Sequence, residues 1–485
     1  MKRIVVSMTL LLLALAMLLS VLSACRGKTP ANPDGDDKTR ESQTSGGDAI
    51  APLEDRDLGG KTFNVLLRTE YKDEFDIKEE TNTPIPDAVY RRNQRVESKY
   101  KAVFNFKSVV DDWDHRDVFI NAIHNSIAAG GDSAYDFVFG AQSYIAFNIA
   151  QGDLLNLNTV PNLTFAGDWW GQQAVEALTI NDVCYQATGD FAISMLQSMN
   201  CVLFNKSFAA EFSVPDLYET VRNKKWTHDE MVRISKDIYT DLNNNGADAG
   251  DKFGLVMLQN SIRAAIVVYN TPTLTKEGEI VWNTERTGNV VTKIHDAFNN
   301  YEGIYYTSET NEPQEIFSGG HALFLWGQLN SASVMRDQKD LDYGIIPCPM
   351  FNEAQGAYYT TSNDASMVCI PQTETEKLDD IGFVIEAICR ESTDTVAETV
   401  YEKSMKLRDA QDEKDSEMVD LIRQSLTYDF GWVYSTQTGV SGNQYELMMN
   451  SVAAPDFNGW YKGQESVIKG MLKTFYEFFG VTLAD

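Results

Sequence analysis

From residue 61 onward, short apolar runs of strand character alternate with stretches of helical spacing, and this alternation restricts the fold more than any other feature. KTFNVLLRT (61–69) and AVFNFKSV (102–109) read as strands, with a helix between them from about Ile85 to Tyr100. A further helix is expected from Val118 to Ile127, followed by the apolar run Tyr135-Asp136-Phe137-Val138-Phe139-Gly140. Such alternation favours an α/β fold with a parallel sheet covered by helices. Thr227-His228-Asp229-Glu230 has the pattern of a capping box, with Trp226 placed to staple onto Met231. A second box, Thr373-Glu374-Thr375-Glu376, precedes Leu378, Ile381, Ile385 and Ile388, and the strand ASMVCIP is expected to run straight into that helix. Apolar spacing from Val467 to Phe479 predicts a closing amphipathic helix.

The N-terminus has a different grammar. Lys2 and Arg3 precede an apolar stretch from Ile4 to about Leu22, and Leu22-Ser23-Ala24-Cys25 sets small residues before a cysteine. This pattern describes a secretory signal over residues 1–24, with an uncleaved membrane anchor as the alternative. The tetrapeptide resembles the lipobox of bacterial lipoproteins. That resemblance implies lipidation of Cys25, a location at the extracellular face of the cell membrane, and membrane contact through the lipid anchor only. Residues 25–55 lack periodicity and are rich in Gly, Pro, Ser, Thr and Asp, so a flexible linker is expected there.

Without the signal about 460 residues are left, enough for two or three domains. A hydrophobic content of 43% with 11% aromatic supports a large packed interior. The formal charge of −29 argues against nucleic acid as a partner, which needs basic patches. Cys184, Cys201, Cys348, Cys369 and Cys389 show no metal-type spacing and several sit in apolar runs, so buried free thiols are favoured over a disulfide. No GxSxG elbow or HExxH helix is present.

Several segments, in order, resemble the extracellular solute-binding proteins of carbohydrate ABC transporters (family 1-like), particularly their large lipoprotein forms. Tyr135–Phe139 resembles the strand that ends beside the ligand, and Leu154-Leu155-Asn156-Leu157 the segment after it. Val202-Leu203-Phe204-Asn205-Lys206 resembles the strand that opens the second lobe, and Trp226-Thr227 the helix step behind it. Phe317–Phe324 and Tyr343-Gly344-Ile345-Ile346-Pro347-Cys348-Pro349 resemble two later family segments. The resemblance implies a two-lobed periplasmic-binding-protein-like fold with a hinge and an interlobe cleft. It assigns residues 56–190 to lobe 1, 191–360 to lobe 2, and 361–485 to a return into lobe 1 with C-terminal helices packing on both lobes. It further implies a monomer that captures a small polar molecule, a mono- or oligosaccharide, and delivers it to ABC permease subunits without altering it. A secreted carbohydrate-active enzyme and a surface adhesion lipoprotein are the competing readings.

Ligands of open α/β sheets collect beyond the carboxyl ends of strands. Sugars want aromatic faces flanked by carboxylates and amides. On that basis Gln142, Ser143 and Tyr144 follow one strand, and Trp326, with Gln328 and Asn330, follows another. Trp326 is the expected platform, against the alternative of a core tryptophan. Asp190, Trp432, Tyr359 and Asn363 complete the expected ligand-binding set, while Trp169-Trp170 is expected to pack as structure. Asp241, Asn243, Asn245, Asp248 and Asp251 space oxygens as a calcium loop does, with Gly246 at the turn. Lys252 stands where a bidentate Glu would be needed, so an Asx-rich turn without metal is the favoured reading over a structural calcium. No cofactor is required.

Overall fold

The computed structural model describes residues 50–128 and 134–483. The signal segment, Cys25 and most of the linker lie outside these residues.

The central strand of the first sheet has no solvent face. In β1 (Lys61–Arg68), Phe63, Val65, Leu66 and Leu67 are all buried, so consecutive side chains on both faces meet helices. A continuous apolar run of this kind is the mark of a parallel strand covered on both sides. β1 pairs in parallel with β2 (Ala102–Val109), from Lys61 opposite Ala102 to Arg68 opposite Val109, and on its other side with β3 (Phe137–Ala141). The helix Pro84–Tyr100 makes the crossover, with Pro84 at its first position and Lys101 ending it in the left-handed region. Helix Arg116–Ala128 connects β2 to β3.

The second sheet is separate. β4 (Asn200–Asn205), β5 (Tyr239–Thr240), β6 (Lys252–Leu258), β8 (Ala322–Gln328) and β9 (Tyr343–Pro347) lie in the order β5-β6-β8-β4-β9, with β7 (Ile304–Thr307) paired to β6. β4 runs antiparallel to both neighbours, Leu203 facing Leu325 on β8 and Ile345 on β9. The chain then returns to the first sheet as β10 (Ser366–Cys369), antiparallel to β3, completing the order β10-β3-β1-β2. Two α/β lobes result, joined by crossing segments. Met199 bridges Ser362, and Thr360 bridges Leu426, so three stretches of chain lie side by side where the lobes meet. Among the described residues no helix is long and apolar enough to cross a membrane, and all five body cysteines are buried and unpaired.

The two capping boxes fare differently. Thr227 caps helix His228–Ser235 by accepting from the Glu230 amide, and Trp226 is fully buried with its indole N–H on the Pro347 carbonyl. Thr373 caps nothing: the strand stops at Cys369 and helix Leu378–Ser392 begins only after a turn. Glu374 turns inward and Lys377 is drawn to Asp136 at 3.0 Å, which uses the intervening residues as a connector. The closing helix spans Phe457–Glu477, ten residues longer at its start than the apolar spacing foretold, because Asp456 caps it on the Gly459 amide.

His228 gives the fold a pH signature. It is 3% exposed, with Nδ1 2.8 Å from the Tyr269 hydroxyl, and burial pushes its pKa down to about 4. Between pH 6.5 and 4 the unfolded chain binds a proton that the native imidazole refuses, so this group costs stability as pH falls, at most about 1.4 kcal/mol per pH unit. Asp111 and Asp190, raised by burial to about 6, act with the opposite sign, since their native carboxyls protonate first. Urea unfolding across this range should therefore show a shallower acid loss in His228→Gln than in wild type.

Candidate functional site

In lobe 1 the carboxyl ends of β1, β2 and β3 and the amino end of β10 lie along one edge of the sheet. The loops leaving that edge carry Arg68–Tyr71, Asp111–Trp113, Gln142–Tyr144 and Asn363–Asp364. Arg68 organises them. It is 3% exposed, its Nη2 donates at 2.9 Å to both the Asp364 carbonyl and the Ser366 hydroxyl, and its Nε lies 3.7 Å from the Asp111 carboxylate. Its guanidinium carbon sits 3.9 Å from the centre of the Tyr71 ring.

Burial sets the electrostatics of this cluster. It pushes the Asp111 carboxyl up to about 6 against the pull of Arg68. Burial also raises Asp364, opposed by Arg68 and by a hydrogen bond from Tyr71. Tyr144 rises to about 12, first through burial and then through the negative charges of Asp111 and Asp364. Arg68 and Asp111 are thus buried, at 3% and 2% exposure, with Asp364 half-buried and the Tyr71 and Tyr144 side chains close by. Trp113, two residues beyond Asp111, stands at the rim with 56% of its surface exposed and the Arg116 guanidinium 4.5 Å from its ring centre. An exposed indole backed by a cation is a stacking platform.

Behind the recess, Glu74 is fully buried and accepts from the Ser194 amide and the Ser366 hydroxyl. Ser194 belongs to the first crossing segment, so Glu74 ties that segment to lobe 1. Beside it, Gln142 donates from Nε2 to the carbonyls of Ser362 and Asn363, and Asn200 donates to the Asn363 side chain and the Thr361 carbonyl. Gln142 Oε1, Thr361 Oγ1 and Ser362 Oγ are buried with no partner. In lobe 2 the facing strand ends present amides: Gln259 donates to Glu446 at 3.1 Å, and Gln328 caps the helix Leu329–Met335.

Of the residues expected from sequence, Gln142 and Asn363 are brought together, with Ser143 half-buried beside Gln142 and Tyr144 in the recess. The others lie elsewhere. Trp326 is 1% exposed and points into lobe 2 against Tyr269, so its ring is part of the core. Being two residues short of the strand end, it alternates inward. Asp190 accepts from the Thr393 hydroxyl at 2.7 Å, away from Arg68. Trp432 is half-buried in the short helix Phe430–Val433, with its indole nitrogen buried and unpartnered. Tyr359 lines a different interlobe cavity of about 430 Å³. In the Asp241–Asp251 loop the carboxylates accept from amides: Asp241 from the backbone of Asn243, Asn244 and Gly246, Asp248 from the side chains of Asn243 and Asn245, and Asp251 from Leu242 and Asp248. That is the geometry of an Asx-rich turn. Among the described residues no group of three or more His, Cys, Asp or Glu gathers in metal-ligating geometry. Sequence reasoning passed over Arg68, Tyr71, Asp111, Trp113 and Asp364, although the strand-end rule that selected Gln142 points equally to residues 68–71 and 110–113.

Neither a family model nor a curated protein sequence matches the chain. Solved structures do. The cyclic alpha-maltosyl-1,6-maltose binding protein from Arthrobacter globiformis matches with a TM-score of 0.56 at 14% identity, over 86% of this chain and 100% of that one. The maltose/maltodextrin-binding domain from Bdellovibrio bacteriovorus, bound to maltotriose, gives 0.54 at 11% identity, over 87% and 100%. UgpB from Mycobacterium tuberculosis, in complex with glycerophosphocholine, gives 0.54 at 11% identity, over 84% and 98%. At these identities the likeness is one of fold: a two-lobed, periplasmic-binding-protein-like architecture.

Proposed function

We propose that this chain is the solute-binding lipoprotein of an ABC importer, which holds a mono- or oligosaccharide between its lobes and hands it unchanged to membrane permease subunits. The observation that carries the reading is the lobe-1 recess, where Arg68, Asp111 and Asp364 sit among Tyr71, Tyr144 and Trp113 at the strand ends. Ring faces meet the C–H faces of a sugar, and the charged groups meet its hydroxyls. Ligand contacts to both lobes would favour a closed hinge state. The sugar ligands of two of the matched structures and the lipobox-like Leu22–Cys25 support the same role, with Cys25 lipidated and the body held outside the cell by its linker. Capture without turnover fits the cluster, because Asp111 is held by Arg68 and Asp364 by Tyr71.

The Asp111 carboxyl makes the proposal testable by pH. A ligand hydroxyl that donates to it stabilises the carboxylate and lowers its pKa from about 6. Affinity should then rise as pH rises from 5 to 7, by up to about tenfold. Titration calorimetry with the best-binding sugar should show this rise in wild type and a flat profile in Asp111→Asn; a profile that is flat in both removes Asp111 from the site.

A further inference from the structure

We infer that the cavity beside the hinge is a second ligand site, built for a small polyhydroxylated molecule and distinct from the recess at Arg68. Its volume is about 430 Å³, enough for one sugar-sized ring, and none of the recess residues lines it. Its walls come from both lobes and from the hinge. Gln173 and Glu176 stand on the lobe-1 helix Gln172–Leu178, Lys276 on a lobe-2 loop, and Tyr359, Gln424 and Tyr428 on two chains that run side by side through Thr360 and Leu426.

Topology separates the two places. Helix Gln172–Leu178 lies beyond the β10 end of the lobe-1 sheet, since Gly171 bonds Thr188 and Ala187 bridges Val368. Arg68 and Asp111 lie past β3, on β1 and after β2. The crossing segments stand between.

The lining suits a hydroxylated ring. Glu176 and Lys276 pair at 3.5 Å across the rim, offering an acceptor and a donor from opposite lobes. Gln173 and Gln424 add amides that can donate and accept. Tyr359 is half-buried and offers a ring face. Tyr428 is 8% exposed, and its hydroxyl is buried with no partner although the residue lines the cavity. Because the walls belong to different lobes, an occupant also resists their relative movement.

Saturation-transfer NMR with myo-inositol, sorbitol and glucose, each at millimolar concentration, tests the site. Signal from at least one of them is expected in wild type and in Trp113→Ala, whose change lies at the recess. In the Trp113→Ala background, where the recess is weakened, Ala177→Trp, which fills the cavity, should abolish it, and Glu176→Lys, an exposed reversal that repels Lys276, should weaken binding at least threefold. No signal in wild type, or signal that survives Ala177→Trp in the Trp113→Ala background, overturns the proposal. Signal lost in Trp113→Ala but kept in both cavity variants made in the wild-type chain also overturns it and places the polyol in the recess, so the two sites fail separately.

Discussion

Trp113→Ala is expected to weaken sugar binding about 30-fold while leaving the unfolding transition where it is. The indole is 56% exposed, so its removal opens no cavity in the core and strands no buried polar group. In the complex a sugar ring would cover roughly 80 Å² of it, and at about 25 cal/mol per Å² this is worth about 2 kcal/mol. That converts to about 30-fold in Kd. Titration calorimetry alongside thermal unfolding separates the two effects. If affinity holds while the melting temperature drops, Trp113 is a structural residue and the rim of the site lies elsewhere.

Glu386→Ala should act in the opposite way, costing about 3–5 kcal/mol of folding stability in urea titrations. Its carboxylate is fully buried in helix Leu378–Ser392 and takes four donors. These are the indole N–H of Trp169 at 3.0 Å, that of Trp170 at 2.9 Å, the Thr164 amide at 3.1 Å and Arg390 Nε at 2.8 Å. Alanine strands all of them, two being indoles pinned by packing. Glu386→Gln keeps acceptor capacity on one oxygen and should recover part of the loss. The exposed pair Lys225–Glu353 provides the contrast, since Glu353→Ala should cost less than about 1 kcal/mol. A Glu386→Ala loss no larger than that would mean the tryptophan pair is held by packing alone.

The fold was legible where it rests on local pattern. The apolar runs at 61–69 and 102–109 both form strands and pair in parallel, the first inside the sheet and the second at its edge. The Thr227 half of its box was readable because the Glu230 amide lies within one turn, whereas the Glu230 carboxylate pairs with Arg233 and leaves the other half unmade. The Thr373 box misled because a tertiary contact, Lys377 to Asp136 from a distant strand, decides where that helix starts. The site divides along the same line. Gln142 follows directly from its position after β3, and Asn363 meets it at the hinge. Arg68 and Asp111 are 43 residues apart, and only the parallel register that sets Arg68 opposite Val109 makes them neighbours. Trp326 failed as a platform through the two-residue period of the strand: its side chain faces the core, whereas Trp113 sits in a loop past the strand end, where no alternation constrains it.

A small solute shut between the two lobes should make the molecule more compact. Small-angle X-ray scattering of the protein with and without the tightest-binding sugar from a calorimetric screen measures this directly. A smaller radius of gyration at saturation is expected, with the sugar recovered chemically intact. An unchanged radius, or a cleaved sugar, would contradict the account.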